Sequence, residues 1–231
     1  MVVAEEVRTR VQAVRERIAA AARRAGRRPE DVTLVAVSKA RPLETIEAAY
    51  AVGLRHFGEN RVQEAMAKFG EFHPPDLTLH LIGHLQSNKA KQAAAFCDVL
   101  HSLDSARLAA VLAGHCARRS APLPVLVEVN VAGEESKFGV MPAEVLPLLR
   151  TVLTLPGLRP VGLMTIAPLV SDGEQTRPVF RRLRELRDEC ARALGVPLPE
   201  LSMGMTNDFE VAVEEGATLV RVGRALFGER G

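Results

Sequence analysis

Lys39 is the side chain in this sequence best placed to form a covalent bond with a ligand. It follows the apolar, β-branched run Val32–Ser38, which is typical of a strand buried on both faces. It shares its alternation parity with Val35 and Val37, so its side chain is expected to point inward with theirs. Apolar surroundings lower the pKa of a lysine from about 10.4 and supply free amine for attack on an aldehyde. Lys39 therefore predicts a Schiff-base site, with a strand-end lysine that extends to solvent as the alternative.

A second charged residue stands inside the last apolar run of the chain. Arg221 lies between Val220 and Val222 and has the same parity as Gly223. Arginine is rarely buried unless it is paired. Two roles remain open for it, a hydrogen bond to a ring nitrogen of a bound cofactor or an ion pair with an inward-pointing acid.

The elements that must position these two residues alternate regularly along the chain. Apolar residues at helical spacing predict an amphipathic first helix over residues 4–25. Strands are predicted at 32–38, 55–58, 78–83, 98–102, 124–130, 159–164, 200–203 and 218–223, and further helices at 42–52, 60–69, 87–95, 105–118, 142–153, 174–194 and 207–215. Eight strands that alternate with helices imply a parallel sheet closed into a (β/α)8 barrel. A doubly wound open sheet is the second interpretation, but no glycine-rich dinucleotide motif follows the first strand.

One domain is expected over residues 1–231. The sequence contains no linker or low-complexity tract, and its length suits one barrel, which typically has about 250 residues. Few residues follow the predicted eighth strand, which leaves little room for an eighth outer helix. The N-terminal helix is therefore expected to cover that side of the barrel.

Ligands of such barrels bind at the carboxyl ends of the strands. Lys39, Asn60, His84 and Met164 all fall at predicted strand ends. They are therefore expected to surround one pocket together with Arg221.

An anion site is predicted where the seventh and eighth strands end. Ser202, Met203 and Gly204 follow the seventh strand, and Gly223 and Arg224 follow the eighth. The loops at these two places recurrently bind phosphate through backbone N–H groups. Each glycine taken alone is also compatible with a simple turn.

Composition excludes several other classes of protein. The formal net charge is +2, and the basic cluster Arg23–Arg28 closes the first helix, so no nucleic-acid partner is expected. No apolar run approaches the ~20 residues of a membrane span, and the N-terminus lacks the apolar segment of a signal peptide. The three cysteines have no metal-ligand or disulfide spacing, and the histidines have none for zinc, so a cytoplasmic protein without a metal is expected.

Ten short segments, in their order and spacing, resemble the pyridoxal phosphate homeostasis proteins, which belong to the fold-type III pyridoxal-phosphate proteins. They cover the chain from about Val32 to its end. The segments are Ala36–Lys39, His56–Glu64, His80–Lys89, His101–Asp104, Glu128–Asn130, Gly133–Gly139, Gly162–Thr165, Leu201–Met205, Val220–Gly223 and Leu226–Gly228.

This resemblance implies a barrel of the alanine racemase N-terminal type, with an extra N-terminal helix and no second domain. It implies pyridoxal 5'-phosphate held as a Schiff base on Lys39, with Arg221 facing the pyridine nitrogen. Phosphate would be held by the Ser202 side chain and the backbone of Met203, Gly223 and Arg224, and Asn60, His84 and Met164 would line the ring pocket.

The family resemblance also implies a role without established turnover, the binding and supply of this cofactor in vitamin B6 homeostasis. The expected partners are pyridoxal phosphate, related B6 vitamers and apo forms of pyridoxal-phosphate enzymes, and a monomer is the default. One departure from the family pattern is Arg224, which stands where threonine or serine is usual and replaces one hydroxyl contact to phosphate.

Two catalytic alternatives remain. An amino-acid racemase needs acid or base groups on both faces of the substrate carbon, and enzymes of this kind use a tyrosine opposite the lysine. Tyr50 is the only tyrosine and is predicted in the outer helix after the first strand, so negligible racemisation is expected. A permanently charged Arg221 beside the ring nitrogen would also weaken the cofactor as an electron sink. A Schiff-base aldolase acting on a phosphosugar, with the same Lys39 and phosphate site, is the third hypothesis.

Overall fold

The structure, a computed structural model, describes residues 2–134 and 136–229. Their strands form a closed parallel barrel in which β1 pairs with β2 on one side and with β8 on the other. The strands are β1 (Thr33–Val37), β2 (His56–Glu59), β3 (Thr78–Leu81), β4 (Val99–Leu103), β5 (Leu123–Glu128), β6 (Leu158–Met164), β7 (Glu200–Ser202) and β8 (Leu219–Val222). The predicted (β/α)8 barrel is confirmed.

Helices follow the strands and form the outer layer. They are α1 (Val2–Arg24), α2 (Leu43–Ala51), α3 (Val62–Phe69), α4 (Ala90–Phe96), α5 (Ala106–Cys116), α6 (Pro142–Leu153), α7 (Arg177–Leu194), α8 (Phe209–Glu214) and α9 (Arg224–Phe227). Short 3-10 turns at Ser87–Lys89 and Gly173–Thr176 take up the first residues of two predicted helices. No helix in the described part of the chain is long and apolar enough to cross a membrane.

The core has two parts, as the alternation of side chains along each strand requires. Leu34 and Ala36 of β1 face the helices and belong to the large layer between barrel and helices. Val35, between them, faces inward and packs in the barrel interior with Leu126, Val161, Met164 and Leu219. Because β1 follows this alternation, the inward parity assigned to Val35 is confirmed.

The first helix covers the side of the barrel on which β1 pairs with β8. Its residues Val7, Val11, Val14 and Ile18 are buried, and α1 packs against α2, α8 and α9. A short helix, α9, does follow β8, but it has four residues, so α1 supplies most of the cover on that side. The predicted place of the N-terminal helix is confirmed.

Candidate functional site

A cavity of about 620 Å³ opens at the carboxyl end of the barrel. Its wall combines strand ends with the loops that follow them, and both cationic and acidic side chains reach it. The wall includes Val37, Lys39, Arg41, Asn60, Ile82, Gly83, His84, Glu128, Phe138, Ile166, Met205, Thr206, Asn207, Asp208, Arg221, Gly223 and Arg224. Among the described residues, no cluster of side chains suits a metal ion.

Most of the residues expected in the site lie on this wall. They come from the ends of β1, β2, β3 and β8, which are far apart in the sequence. The residues brought together are Lys39, Asn60, His84, Arg221, Gly223 and Arg224. The structure therefore places the predicted covalent lysine and the predicted buried arginine on one cavity.

Three expected residues lie behind the wall. Met164 is fully buried and packs in the barrel interior. The Ser202 hydroxyl accepts a hydrogen bond from Arg221 at 2.5 Å, and the Met203 N–H donates to the Leu219 carbonyl at 3.1 Å. The phosphate contacts expected of Ser202 and Met203 stay predictions that would require these bonds to be exchanged. The strand β7 ends at Ser202, so the following loop, Met205–Asp208, reaches the wall instead.

Lys39 lies in a tight turn that begins after β1. The Arg41 N–H donates to the Ser38 carbonyl at 3.0 Å, and Ala40 has a φ of +57°, which is left-handed and strained for a residue with a Cβ. The Ala40 N–H donates to Glu64 Oε1 at 2.5 Å. The backbone on both sides of Lys39 is thus held in place by hydrogen bonds.

An ionic cluster from β2 and α3, in which Glu59 is fully buried, supports this turn. The Lys68 ammonium donates to the Ser38 carbonyl at 2.9 Å, to Glu59 Oε1 at 3.0 Å and to Glu64 Oε1 at 2.5 Å. The Ser38 hydroxyl donates to Glu59 Oε1 at 2.7 Å. Burial raises the pKa of Glu59, and the hydrogen bonds from Ser38 and Lys68 oppose that rise. We refer to Lys68, Glu59 and Glu64 as the Lys68 cluster.

Arg221 is almost fully buried yet remains part of the cavity wall. Its Nη1 donates to Ser202 Oγ and its Nη2 donates to the Thr165 carbonyl at 2.9 Å. Burial lowers the pKa of Arg221 to about 10, with the charges of Glu128 and Asp208 acting in the opposite direction, so the guanidinium stays protonated at neutral pH. Its hydrogen bonds thus go to a hydroxyl and a carbonyl oxygen, whereas Glu128 and Asp208 act on the guanidinium only through their charge.

Glu128 is a residue of the wall whose role the sequence analysis missed. It is 5% exposed, and no hydrogen-bond partner of its Oε2 atom is found among the described residues. The pKa of Glu128 is raised to about 7, mainly by burial and also by the charge of Asp104, while the charge of Arg221 opposes the rise. The signal was available, because Glu128 has the same parity on β5 as the inward-facing Leu126.

An aromatic pair stands at the mouth of the cavity. The rings of His84 and Phe138 are stacked, with centroids 3.9 Å apart and planes 9° from parallel. The Nδ1 atom of His84 lies 3.0 Å from Asp104 Oδ2, which fixes the orientation of the ring. This pair offers a flat surface at the opening.

Fold and site together define a class of protein, a (β/α)8 barrel that brings a lysine and an arginine to one cavity at its strand ends. The sequence model of the alanine racemase N-terminal domain family matches residues 10–231. The pyridoxal phosphate homeostasis protein of Aquifex aeolicus is 48% identical over 221 residues, which cover 96% of this chain and 97% of the relative. The protein of that name from Escherichia coli is 40% identical over 225 residues, which cover 94% of each chain. This chain therefore belongs to the alanine racemase N-terminal domain family and, within it, to the pyridoxal phosphate homeostasis proteins.

Solved structures agree with this assignment. PipY of Synechococcus elongatus, solved with pyridoxal phosphate bound, has a TM-score of 0.84 at 39% identity, with coverage of 96% of this chain and 100% of that chain. A protein from Bifidobacterium adolescentis has a TM-score of 0.90 at 40% identity, with coverage of 98% and 96%. The D-threonine aldolase of Filomicrobium marinum, at 17% identity and a TM-score of 0.77, shares the fold alone.

Proposed function

We propose that this chain binds pyridoxal 5'-phosphate as a Schiff base on Lys39 and supplies that cofactor within the cell, without catalytic turnover of its own. The observation that carries the proposal is the presence of Lys39 and a buried Arg221 on one cavity of about 620 Å³. The cofactor would supply an aldehyde carbon, and its condensation with the lysine amine releases one water. PipY, a relative at 39% identity, was solved with this cofactor bound.

The residues present fit such a ligand. Glu128 lies on the wall, and its Oε2 atom, which has no hydrogen-bond partner in the part of the chain that the structure describes, would provide a polar group for the ligand. On the phosphate side, α9 begins at Arg224, so its first N–H groups have no partner within the helix. Arg224 Nη2 donates to Asn207 Oδ1 at 3.2 Å and joins the two loops expected to hold the anion.

Two observations support binding rather than turnover. Tyr50 lies in α2, outside the cavity, and its hydroxyl donates to Asp76 Oδ1 at 2.5 Å, so it is remote from Lys39's pocket. A protonated Arg221 beside the ring nitrogen would leave that nitrogen unprotonated, and an unprotonated ring is a weaker electron sink. Both features favour a protein that holds the cofactor.

The proposal extends to the place and partners of the protein. A cytoplasmic location is supported by Cys97, Cys116 and Cys190, which are buried free thiols suited to a reducing compartment. Apo enzymes that need this cofactor are the proposed recipients, because Phe138 and Leu169 expose 57% and 91% of their surface beside the cavity mouth. A monomer is the proposed state, with B6 vitamers as further ligands.

The experiment is an absorbance spectrum of the protein with added pyridoxal phosphate, followed by borohydride reduction and peptide mapping. We expect a new band, fixed by reduction to the peptide that contains Lys39, and we expect Lys39→Ala and Lys39→Arg to lose it. The matched control is Lys91→Ala, at an exposed lysine of α4. Label spread over other lysines would contradict the cofactor assignment, and racemase activity lost in Lys39→Ala would contradict the absence of turnover. Cleavage of sugar phosphates by a colourless protein would favour the aldolase instead.

A further inference from the structure

A continuous line of hydrogen bonds runs through the barrel interior from the amino-terminal end of β2 to the cavity wall. His56 Nδ1 lies 3.0 Å from His80 Nε2, and His80 Nδ1 lies 2.8 Å from His101 Nε2. His101 Nδ1 lies 2.8 Å from Ser202 Oγ, which accepts from Arg221 Nη1 at 2.5 Å. We refer to these five residues as the interior line.

The histidines of this line are neutral at pH 7. His80 and His101 are 2% and 0% exposed. Burial lowers the pKa of His80 to about 3 and the pKa of His101 well below its usual range. Burial also lowers the pKa of His56, which stands half-buried at the far end, and the charge of Glu200 opposes that shift. Each ring therefore carries one N–H and one acceptor nitrogen.

The direction of every hydrogen bond in the line follows from its arginine end. Arginine can only donate, so Ser202 must accept from Arg221 and has one hydroxyl proton left to give. In the described part of the chain, the other contact of that hydroxyl is His101 Nδ1, so the proton goes there. His101 then donates from Nε2 to His80 Nδ1, and His80 donates from Nε2 to His56 Nδ1. The reverse direction would leave the buried Ser202 proton without an acceptor, which is costly.

We propose that His101, with His80 and His56 behind it, is a positioning residue that acts through Ser202 on Arg221. All three rings adopt the Nε2–H tautomer, and His101 holds the Ser202 proton so that the oxygen lone pairs face the guanidinium. The Thr165 carbonyl takes the second N–H and fixes the plane of the guanidinium. The line does not conduct protons into the cavity, because Arg221 keeps its own. The consequence for cofactor binding rests on the proposed function, whereas the tautomers and the bonding do not.

The first test is nitrogen NMR of the protein labelled with 15N-histidine, without cofactor at pH 7. The sequence has six histidines, so His73, His84 and His115 provide references outside the line. We expect His56, His80 and His101 each to show a protonated Nε2 and an unprotonated Nδ1. Finding His80 or His101 as the Nδ1–H tautomer or as a cation would overturn the proposal.

The second test removes the Ser202 hydroxyl, which connects His101 to Arg221. Ser202→Ala is expected to leave His101 as a mixture of tautomers and to weaken pyridoxal phosphate binding about tenfold, with a shifted absorbance band, since a hydrogen bond to a charged group is lost. Ser202→Thr keeps the hydroxyl and is expected to restore both readouts, and His73→Gln is the control outside the line. Wild-type tautomers in a folded Ser202→Ala would contradict the proposal even if binding is weaker, because the loss of a direct phosphate contact of Ser202 would weaken binding without changing the tautomers.

A milder variant covers the case in which Ser202→Ala does not fold. His56→Gln lies at the half-buried end, and it is expected to fold and to redistribute the tautomers of His80 and His101. If both tautomers stay fixed in a folded His56→Gln, then His56 does not belong to the positioning line and the proposal fails in its stated form. If no variant and no wild-type sample binds the cofactor, the proposed function fails, while the NMR results still decide the line.

Discussion

Two charged residues of this barrel are buried, in positions where charged side chains are rare. Arg221 is 4% exposed and Glu128 is 5% exposed, and both stand at inward positions of their strands. The arginine has hydrogen-bond partners for its guanidinium, whereas one oxygen of the glutamate has none among the described residues. An unpartnered buried carboxyl is costly when it is ionised, so the protonation of Glu128 should be visible in the stability of the protein.

Glu128→Gln is expected to change how stability depends on pH. The pKa of Glu128 is raised from 4.5 to about 7 in the folded state, so its favourable contribution is complete below pH 4.5 and is lost as the pH rises through 7. Without ligand, the variant should therefore gain about 2 kcal/mol relative to the wild type between pH 5.5 and pH 8. Urea unfolding at both pH values measures this difference. Glu71→Gln, at an exposed position, should show none, and equal pH dependence in Glu128→Gln and wild type would refute the assignment.

The residues of the site differ in how far the sequence predicts them. Lys39 and Arg221 could be found because strand parity and an apolar context are local properties of the chain. The interior line could not, because its histidines are 24 and 21 residues apart and Ser202 is 101 residues beyond His101. These contacts exist only after the barrel closes in a register that pairs Gly58 with His80. The inward parity of a histidine on each of three neighbouring strands is visible in the sequence, but parity alone does not show that the rings contact one another.

At the scale of elements, the turn after β1 depends on a helix that is not its sequence neighbour. Helix α3 provides Lys68 and Glu64, and β2 provides Glu59, so the Lys68 cluster joins three pieces of chain around Ser38 and Ala40. The strained φ of Ala40 persists because these contacts hold it. The sequence predicted the strand and the helix but not this support, because the cluster forms only through packing.

Lys68→Met is expected to destabilise the protein by about 3 to 5 kcal/mol, because it leaves the fully buried Glu59 carboxyl without its cation. The midpoint of urea unfolding at pH 8 measures this loss. Adding Glu59→Gln to the variant should recover part of it, since the uncompensated charge is then removed. Arg182→Met breaks an exposed ion pair with Glu189 and should cost less than about 1 kcal/mol. Equal losses in the two single variants would show that the Lys68 cluster has no special role.

At the scale of the whole molecule, the ends of seven strands, all except β4, contribute to one cavity, so a ligand bound there connects distant parts of the chain. A ligand that binds only the folded state stabilises it by about 2.7 kcal/mol at a hundredfold excess over its Kd. Since the residues of the cavity wall run from Val37 to Glu229 in the chain, this stabilisation should appear in global unfolding rather than in one segment.

Pyridoxal phosphate at such an excess is expected to raise the Tm by about 5 to 10 °C, as a domain of this size gains 2–4 °C per kcal/mol. Differential scanning fluorimetry measures the shift. Lys39→Ala should show a much smaller shift, and pyridoxal, which lacks the phosphate, should stabilise the wild type less. A shift of the same size in Lys39→Ala would mean that the covalent bond contributes little to binding.

The position of α1 has a consequence for how the chain is made. The helix precedes all eight strands in the chain, whereas α8 and α9, on which it packs, come after β7 and β8, and β1 gains its second neighbour only when β8 appears. During translation, part of the apolar stripe of α1 and one edge of β1 stay exposed until α8, β8 and α9 have been synthesised. The barrel can therefore close only after nearly all of its strands have been synthesised, because its first and last strands pair with each other.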